Sequence, residues 1–444
     1  MDWLTTSFSR SDPDMRLRVS RLLLAVFCFS LAPAGTPVHS AEPNRLESSS
    51  WNQWRGPNRD GTLAQPTAWP DRLSGNIEKA WSVALGPSYS GPVMVDGLVF
   101  TTETVNKQFE RVTAYDIATG DLRWEHQWEG SMSVPFFAAA NGDWIRATPA
   151  CVPGYLVVLG MRDVLVCLDT ETGEERWKID FPAETGSALQ PFGAACSPLI
   201  HDGAVYVQVG AGLTKLSLES GEVLWTVLSG GEDMMSRGAF SSPSIATLAG
   251  QEQLLVQTRE ELCGVSLESG DVLWRETIEA FRGMNILTPL AIGDSVFTAA
   301  HSGKSQLFDI QRGDSTKAWA ANERWNQKTQ GYMSSPVVVD DHVYLHLKNE
   351  RFTCLSVADG SIQWTSPPVG KYWSMVRNEN RILSLSADGK LRLIDANPSE
   401  LNVLDTQEVA EDSWAHLAVS SEADQPLILI RALNSLTAYR WKNR

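Results

Sequence analysis

The sequence predicts an all-β protein, an eight-bladed β-propeller of four-stranded antiparallel blades, and three observations carry that prediction. A strand–turn–strand unit ending in tryptophan recurs along the chain. A proline-marked opening strand recurs in step with it. The two ends of the repeat region supply complementary parts of one unit.

The tryptophan unit is plainest in ESGEVLW (219–225) and ESGDVLW (268–274), with further copies ATGDLRW (118–124), ETGEERW (171–177) and ADGSIQW (358–364). QRGDSTKAW (311–319) is a looser copy that keeps Gly313 and Trp319 with two extra residues between them, and LIDANPSELNVL (393–404) keeps only Asp395. Each copy follows a short apolar run, and its glycine supplies a positive φ at a tight turn, so the unit reads as a β-hairpin. Upstream of it stands a second strand–turn–strand, as in CSPLIHDGAVYV (196–207). Four strands in about 45 residues is the size of a propeller blade.

The opening strands give an independent count. Six contain a proline, at Pro92, Pro149, Pro198, Pro243, Pro289 and Pro336, and WSMVRNENRILSL (373–385) and WAHLAVSSEADQPLILI (414–430) repeat the pattern without one. The eighth unit ends at LTAYRW (436–441) with almost no chain left for an outer strand, and IEKAWSVAL (77–85) matches the missing one. Pairing the two closes the ring and removes exposed sheet edges. The predicted organisation is a leader at 1–40, an N-terminal strap at 41–76 and the propeller at 77–444.

A four-stranded blade cannot bury both faces alone, so the recurring indoles of Trp81, Trp124, Trp177, Trp225, Trp274, Trp319 and Trp364 are expected to pack against the next blade. The recurring Asp116, Asp169, Asp309 and Asp395 precede the turns, where a carboxylate accepts backbone N–H bonds. Recurrence marks both sets as architecture.

The chain carries a formal charge of −16 with 43% hydrophobic and 20% charged residues, which excludes disorder and excludes nucleic-acid or anionic-membrane binding by bulk charge. MRLRVSR (15–21) followed by LLLAVFCFSLAPA (22–34) reads as a secretory signal with cleavage before Ala41, and Met15 as the start of translation. A soluble periplasmic or secreted protein without a stable membrane anchor is expected, as a monomer. The five cysteines beyond the leader have no metal-site or haem spacing and read as small buried hydrophobes. His342 and His346 are four apart, but on a strand that separates them by about 13 Å, too far to share a metal.

The units AYDIATGDLRW, CLDTETGEERW and SLESGEVLW resemble the repeat shared by pyrroloquinoline-quinone (PQQ) dependent alcohol dehydrogenases and their cofactor-free relatives, over nearly all of 77–441. The opening WNQWRGPNRDGT (51–62) resembles the start of many exported PQQ-like repeat proteins. The resemblance implies either a non-catalytic envelope scaffold, similar to the BamB-type propeller, that recognises a protein or other ligand, or a PQQ- and calcium-dependent dehydrogenase of an alcohol or sugar. Enzymes of that family cover PQQ with a disulfide between adjacent cysteines, and this chain has no adjacent cysteines. The expectation is therefore a scaffold with no catalytic, cofactor-binding or metal-binding residues.

Loops that join one blade to the next share one face, and binding is expected there, on 125–144, 228–240, 321–333 and 367–373. The residues three before each opening proline, or its equivalent, are expected to ring the channel mouth: Tyr89, Arg146, Ala195, Phe240, Ile286, Met333, Trp373 and Ser413. Tyr89, Arg146, Phe240, Met333 and Trp373 are the candidate binding residues, with Arg146 and an exposed Trp373 as anchors. The segment 51–62 is expected to be a strap that packs Trp51 and Trp54 onto the propeller.

Overall fold

The computed structural model describes residues 51–231, 237–313, 318–420 and 426–442, and among them 32 strands form eight four-stranded antiparallel sheets, the blades of the expected propeller. The leader and the first ten residues of the strap lie outside the described residues. In the third blade, for example, Leu199–His201, Ala204–Val209, Gly212–Ser217 and Val223–Val227 pair in chain order. All six residues of Ala204–Val209 are buried, because a middle strand is covered on both sides by neighbouring blades. The outer strand Val223–Val227 is half exposed. The ring closes as expected: Ile77–Ala84 pairs antiparallel with Ser435–Trp441, setting Ile77 opposite Trp441 and Ala84 opposite Ser435.

The apolar cores lie between blades. One cluster joins Phe100 and Val112 of the first blade to Leu156 and Val166 of the second, and others join each later boundary, with a last cluster spanning the seventh, eighth and first blades. Each boundary is thus held by burial that neither blade achieves alone. The boundary between the first two blades also encloses the Glu110 carboxylate, which accepts from Met161 N at 2.8 Å and Trp128 Nε1 at 3.1 Å.

A recurrent bulge aims the tryptophans. In every outer strand one residue is skipped in the ladder immediately before the indole position, as between Ala114, opposite Trp124, and Tyr115, opposite Leu122. Equivalent shifts precede Trp81, Trp177, Trp225, Trp274 and Trp364. A bulge of this kind bends the strand and re-aims the following side chain, here toward the next blade. The indole N–H of Trp81 then donates to Ile117 O at 2.9 Å, Trp124 to Thr170 O at 3.0 Å, Trp177 to Leu218 O at 2.8 Å, Trp225 to Glu268 O at 3.2 Å and Trp364 to Asn397 O at 2.9 Å. The turn glycine of the receiving blade lies under the ring. A Cβ on Gly120 would come within 2.7 Å of Trp81, and one on Gly221 within 2.8 Å of Trp177, so glycine serves both the positive φ and the close approach.

The fifth blade departs from the expected register. Its outer hairpin strands, Ser305–Arg312 and Trp319–Gln327, are long, and Trp325 takes the aimed position, donating to Val357 O at 2.7 Å. Trp319 sits near the hairpin tip opposite Arg312, half exposed, with that guanidinium 5.3 Å from its ring centre. Trp274, which faces this extended hairpin, donates instead to Gln253 Oε1 of its own blade at 2.8 Å. The turn aspartates also divide. All four pair with an arginine, Arg123, Arg176, Arg324 and Arg381 in turn, but Asp116 and Asp169 also accept backbone N–H bonds within their turns. The five described cysteines are free and buried.

The strap does more than pack on the outside. Residues 51–63 enter the central channel and touch the inner strand or its entry in all eight blades. Met94 N donates to Trp51 O at 3.0 Å in the first blade, and Cys151 N to Asn52 O at 2.8 Å in the second. Arg59 donates to Ser197 O at 3.2 Å and to Pro198 O in the third blade, and to Pro243 O at 2.6 Å in the fourth. Trp54 Nε1 donates to Thr288 Oγ1 at 3.0 Å, Arg55 to Pro336 O, and Leu63 N to Arg377 O at 3.0 Å. The Trp54 ring meets His416 of the eighth blade edge-on at 5.0 Å. Arg55 and Arg59 are 0% and 1% exposed, and burial lowers their guanidinium pKa values to about 10 and about 9, which leaves both charged at neutral pH. Their counter-groups are carbonyl oxygens of the opening strands, which otherwise would point unpaired into the channel.

Candidate functional site

The plug divides the channel into two cavities. One of about 430 Å³ opens on the face of the short inner hairpin turns, floored by Asn58 and Arg59. The other, about 320 Å³, opens on the face of the inter-blade loops and is floored by Trp54. The second falls in the size range of ligand pockets, and its walls are mostly apolar and aromatic.

Tyr89, Arg146, Ala195, Phe240, Ile286 and Met333 all line this funnel. Trp373 and Ser413 do not. Trp373 is 2% exposed, stacked against His346 at 5.3 Å and packed on Phe352 at 4.9 Å. The cause is register. Tyr89, Arg146 and Met333 stand six residues before the last residue of their inner strands, Val95, Val152 and Val339. Six residues before Asn378, the end of the seventh inner strand, is Tyr372. Without a proline as marker, the sequence count is displaced by one, and a buried inter-blade tryptophan is read as a rim residue. In the eighth blade Ser413 is buried and bonds to Arg431 O at 3.0 Å, while its neighbour Trp414 lines the funnel.

Half of the rim is a chain of ring contacts. Tyr89 stacks on Trp414 at 5.0 Å, Trp414 meets Tyr372 at 4.6 Å, and Tyr372, Tyr332 and His301 follow at 5.9 and 4.9 Å. The other half runs from Phe137 to Phe192 at 6.0 Å and on to Phe240 at 5.9 Å. Phe136, at the tip of its loop, is 90% exposed. Three guanidiniums interrupt the aromatics. Arg146 is held by the carbonyls of Gly142 and Trp144 at 3.1 and 3.3 Å, Arg259 lies 4.3 Å over the Phe240 ring, and Arg282 lies over Phe281 at 5.0 Å. Among the described residues no aspartate or glutamate lines the funnel. Burial raises the Tyr89 phenol above its usual range, opposed by the charge of Arg146.

Of the loops expected on this face, 125–144 contributes Phe137 and Asn141, 228–240 contributes Phe240, and 321–333 contributes Tyr332 and Met333. The stretches Glu125–Glu129 and Ala321–Gln327 are outer strand rather than loop, and residues 232–236 lie outside the described residues. Loop 367–373 reaches the rim only through Tyr372. Phe192, Arg259, Arg282 and Trp414 are members that the sequence reading missed. Arg259 stands in TREEL, a charged turn that reads as solvent-facing, and only the fold turns it inward.

A quinone held with calcium needs clustered oxygen donors, above all carboxylates. Among the described residues no group of three or more His, Cys, Asp or Glu side chains could hold a metal ion. With no carboxylate among the described lining residues, this donor set does not fit that cation. His342 and His346 lie on one strand, and His346 is buried with Nε2 at 2.8 Å from Gly370 O.

Fold and channel architecture thus define a PQQ-like repeat propeller. The family model described as outer membrane protein assembly factor BamB matches residues 109–366, more than half of the chain, and the chain belongs to that family. Among solved structures it is similar to BamB from Moraxella catarrhalis (14% identity, 82% of this chain and 100% of that one, TM-score 0.61). It is equally similar to the quinohemoprotein alcohol dehydrogenase from Comamonas testosteroni (13% identity, 90% and 82%, TM-score 0.62). A shorter match is to the serine/threonine-protein kinase AfsK of Streptomyces griseus, 32% identical over 137 residues. That match covers 30% of this chain and 15% of the kinase. No helix of the described residues is long and apolar enough to cross a membrane.

Proposed function

We propose that the protein is a non-catalytic scaffold of the bacterial cell envelope that holds a protein partner on its inter-blade loop face. One observation carries the reading: the channel is filled by the chain's own 51–63 segment, which leaves on that face an aromatic funnel with a cationic lining and, among the described residues, no carboxylate. Such a surface has the aromatic and arginine composition of interaction hot spots, and its described lining residues include no Asp, Glu or His to act as a general base. Membership of the BamB family, whose description is that of an assembly factor, agrees with it.

The reading is tested by placing a photo-crosslinking side chain at Phe137, in the funnel, or at His201, on the opposite face, in the exported protein. Adducts with one envelope protein from Phe137, absent from His201 and abolished by Tyr89→Ala with Trp414→Ala in a variant that melts normally, are expected. Adducts from His201 alone overturn it. So does calcium-dependent retention of PQQ, read by absorbance and mass, with turnover of an alcohol.

A further inference from the structure

The lining of the funnel reverses the character of the rest of the molecule. A chain of net charge −16 gathers Arg146, Arg259 and Arg282 around one cavity with no acidic lining residue among the described residues. Among the described residues none of the three has a carboxylate within 4.0 Å. Arg259 is the most telling. It is 3% exposed, its Nη2 donates to Arg282 O at 2.9 Å, and its Nε has no hydrogen-bond partner. The carboxylates that act on these arginines, Glu260 on Arg259 and Asp143 on Arg146, do so from beyond salt-bridge distance; a buried guanidinium without a direct ion pair is costly, and an anion that enters the funnel relieves that cost. Arg282 leans over the same space from a backbone with φ of 52°, a conformation unusual for a side chain of this size.

The anion must also satisfy the walls. The Phe137–Phe192–Phe240 arm and the Tyr89–Trp414 stack flank the arginines, and Phe136 extends the apolar surface outward from the mouth. A bare inorganic anion would leave these rings uncovered, and a long polyanion would meet the repulsion of a chain of net charge −16. A short segment that alternates carboxylates with aromatic side chains satisfies both, since guanidinium and carboxylate pair in a planar, bidentate way.

We propose that the funnel binds an acidic–aromatic peptide segment of a partner protein, its carboxylate held by Arg146, Arg259 and Arg282 and its rings by the Phe137–Phe240 arm. This assignment rests on the scaffold reading above and specifies the partner's chemistry.

The test uses three dye-labelled pentapeptides blocked at both ends: Phe-Glu-Phe-Glu-Phe, its Gln analogue and its Lys analogue, titrated against the purified protein by fluorescence polarisation. The Glu peptide is expected to bind at least about ten-fold more tightly than the Gln peptide, as one good charge-assisted pair provides, and the Lys peptide not at all. Arg146→Gln with Arg282→Gln is expected to bring the Glu peptide down to the Gln level, to leave the Gln peptide unchanged and to leave the thermal melt unchanged. Equal affinity for Glu and Gln peptides overturns the proposal, as does displacement of the Glu peptide by equimolar inorganic phosphate, which would mark a site for a bare anion. Crosslinks from Phe137 together with equal Glu and Gln affinities would remove the carboxylate assignment alone. Peptide discrimination without any crosslink from Phe137 would support the site and overturn the scaffold reading.

Discussion

Leu307 of the fifth blade lies opposite Trp325, six residues beyond Trp319. The same ladder position pairs Ala114 with Trp124, Cys167 with Trp177 and Cys354 with Trp364, so the residue facing a small or aliphatic partner across the bulge is the one that enters the next blade. Trp325→Ala is therefore expected to cost about 3–5 kcal/mol, the range for emptying a large buried aromatic site. Trp319→Ala, at the half-exposed hairpin tip, is expected to cost under about 1 kcal/mol. Urea denaturation of the two variants checks this, and equal losses would refute the register.

Arg59 joins the third and fourth blades from the channel, and its removal leaves carbonyls of Ser197, Pro198 and Pro243 without donors. Relief of the buried charge offsets part of that loss. Arg59→Met is expected to destabilise by about 2–4 kcal/mol, given about 1–3 kcal/mol for each buried group left unpaired. A denaturation midpoint equal to that of the parent would show that the plug is dispensable.

Glu110 makes stability depend on pH. Burial pushes its carboxyl up to about 8, against the N–H bonds from Met161 and Trp128. Between about pH 4.5 and pH 8 the unfolded chain has released this proton while the folded chain retains it, so the contribution of Glu110 to stability falls as pH rises through that window. Glu110→Gln removes the titration. The melting temperature of the variant relative to the parent is expected to climb from pH 5 to pH 8 and then level off, and a constant difference would refute it.

His416 works in the opposite direction. Enclosed by Trp51 and Trp54, its imidazole is lowered to about 3 by burial and by the charge of Arg55. Below about pH 6.5 the unfolded chain takes up a proton that the folded chain refuses, so stability is lost as the medium is acidified. His416→Gln is expected to lose less melting temperature than the parent between pH 6.5 and pH 4. Parallel curves would place this histidine outside the acid response.

The blade count and ring closure were legible because each rests on local chemistry that repeats: a proline at a strand entry, a glycine at a turn, an indole after an apolar strand. The Trp325 register was legible in part, since ERW occurs at 175–177 and again at 323–325, with Arg176 and Arg324 each paired to a turn aspartate. Spacing from Gly313 obscured it because the hairpin is longer there. The plug was not legible. Arg55 and Arg59 bond to backbone carbonyls, which leave no side-chain pattern in the partner sequence. The funnel was half legible: Tyr89, Arg146, Phe240 and Met333 follow from the proline count, whereas Arg259 and Trp414 reach the site through turns whose direction only the assembled ring determines.

The pairing of Ile77–Ala84 with Ser435–Trp441 also sets the order in which the ring can form. The first of these strands is made well before its partner, so the clasp cannot fasten until Ser435–Trp441 has emerged. A chain interrupted in the seventh blade would retain an open edge at Ile77–Ala84, exposing unpaired N–H and C=O groups to other strands and proteases. Closure of the circle therefore ties completion of the fold to completion of its eighth blade.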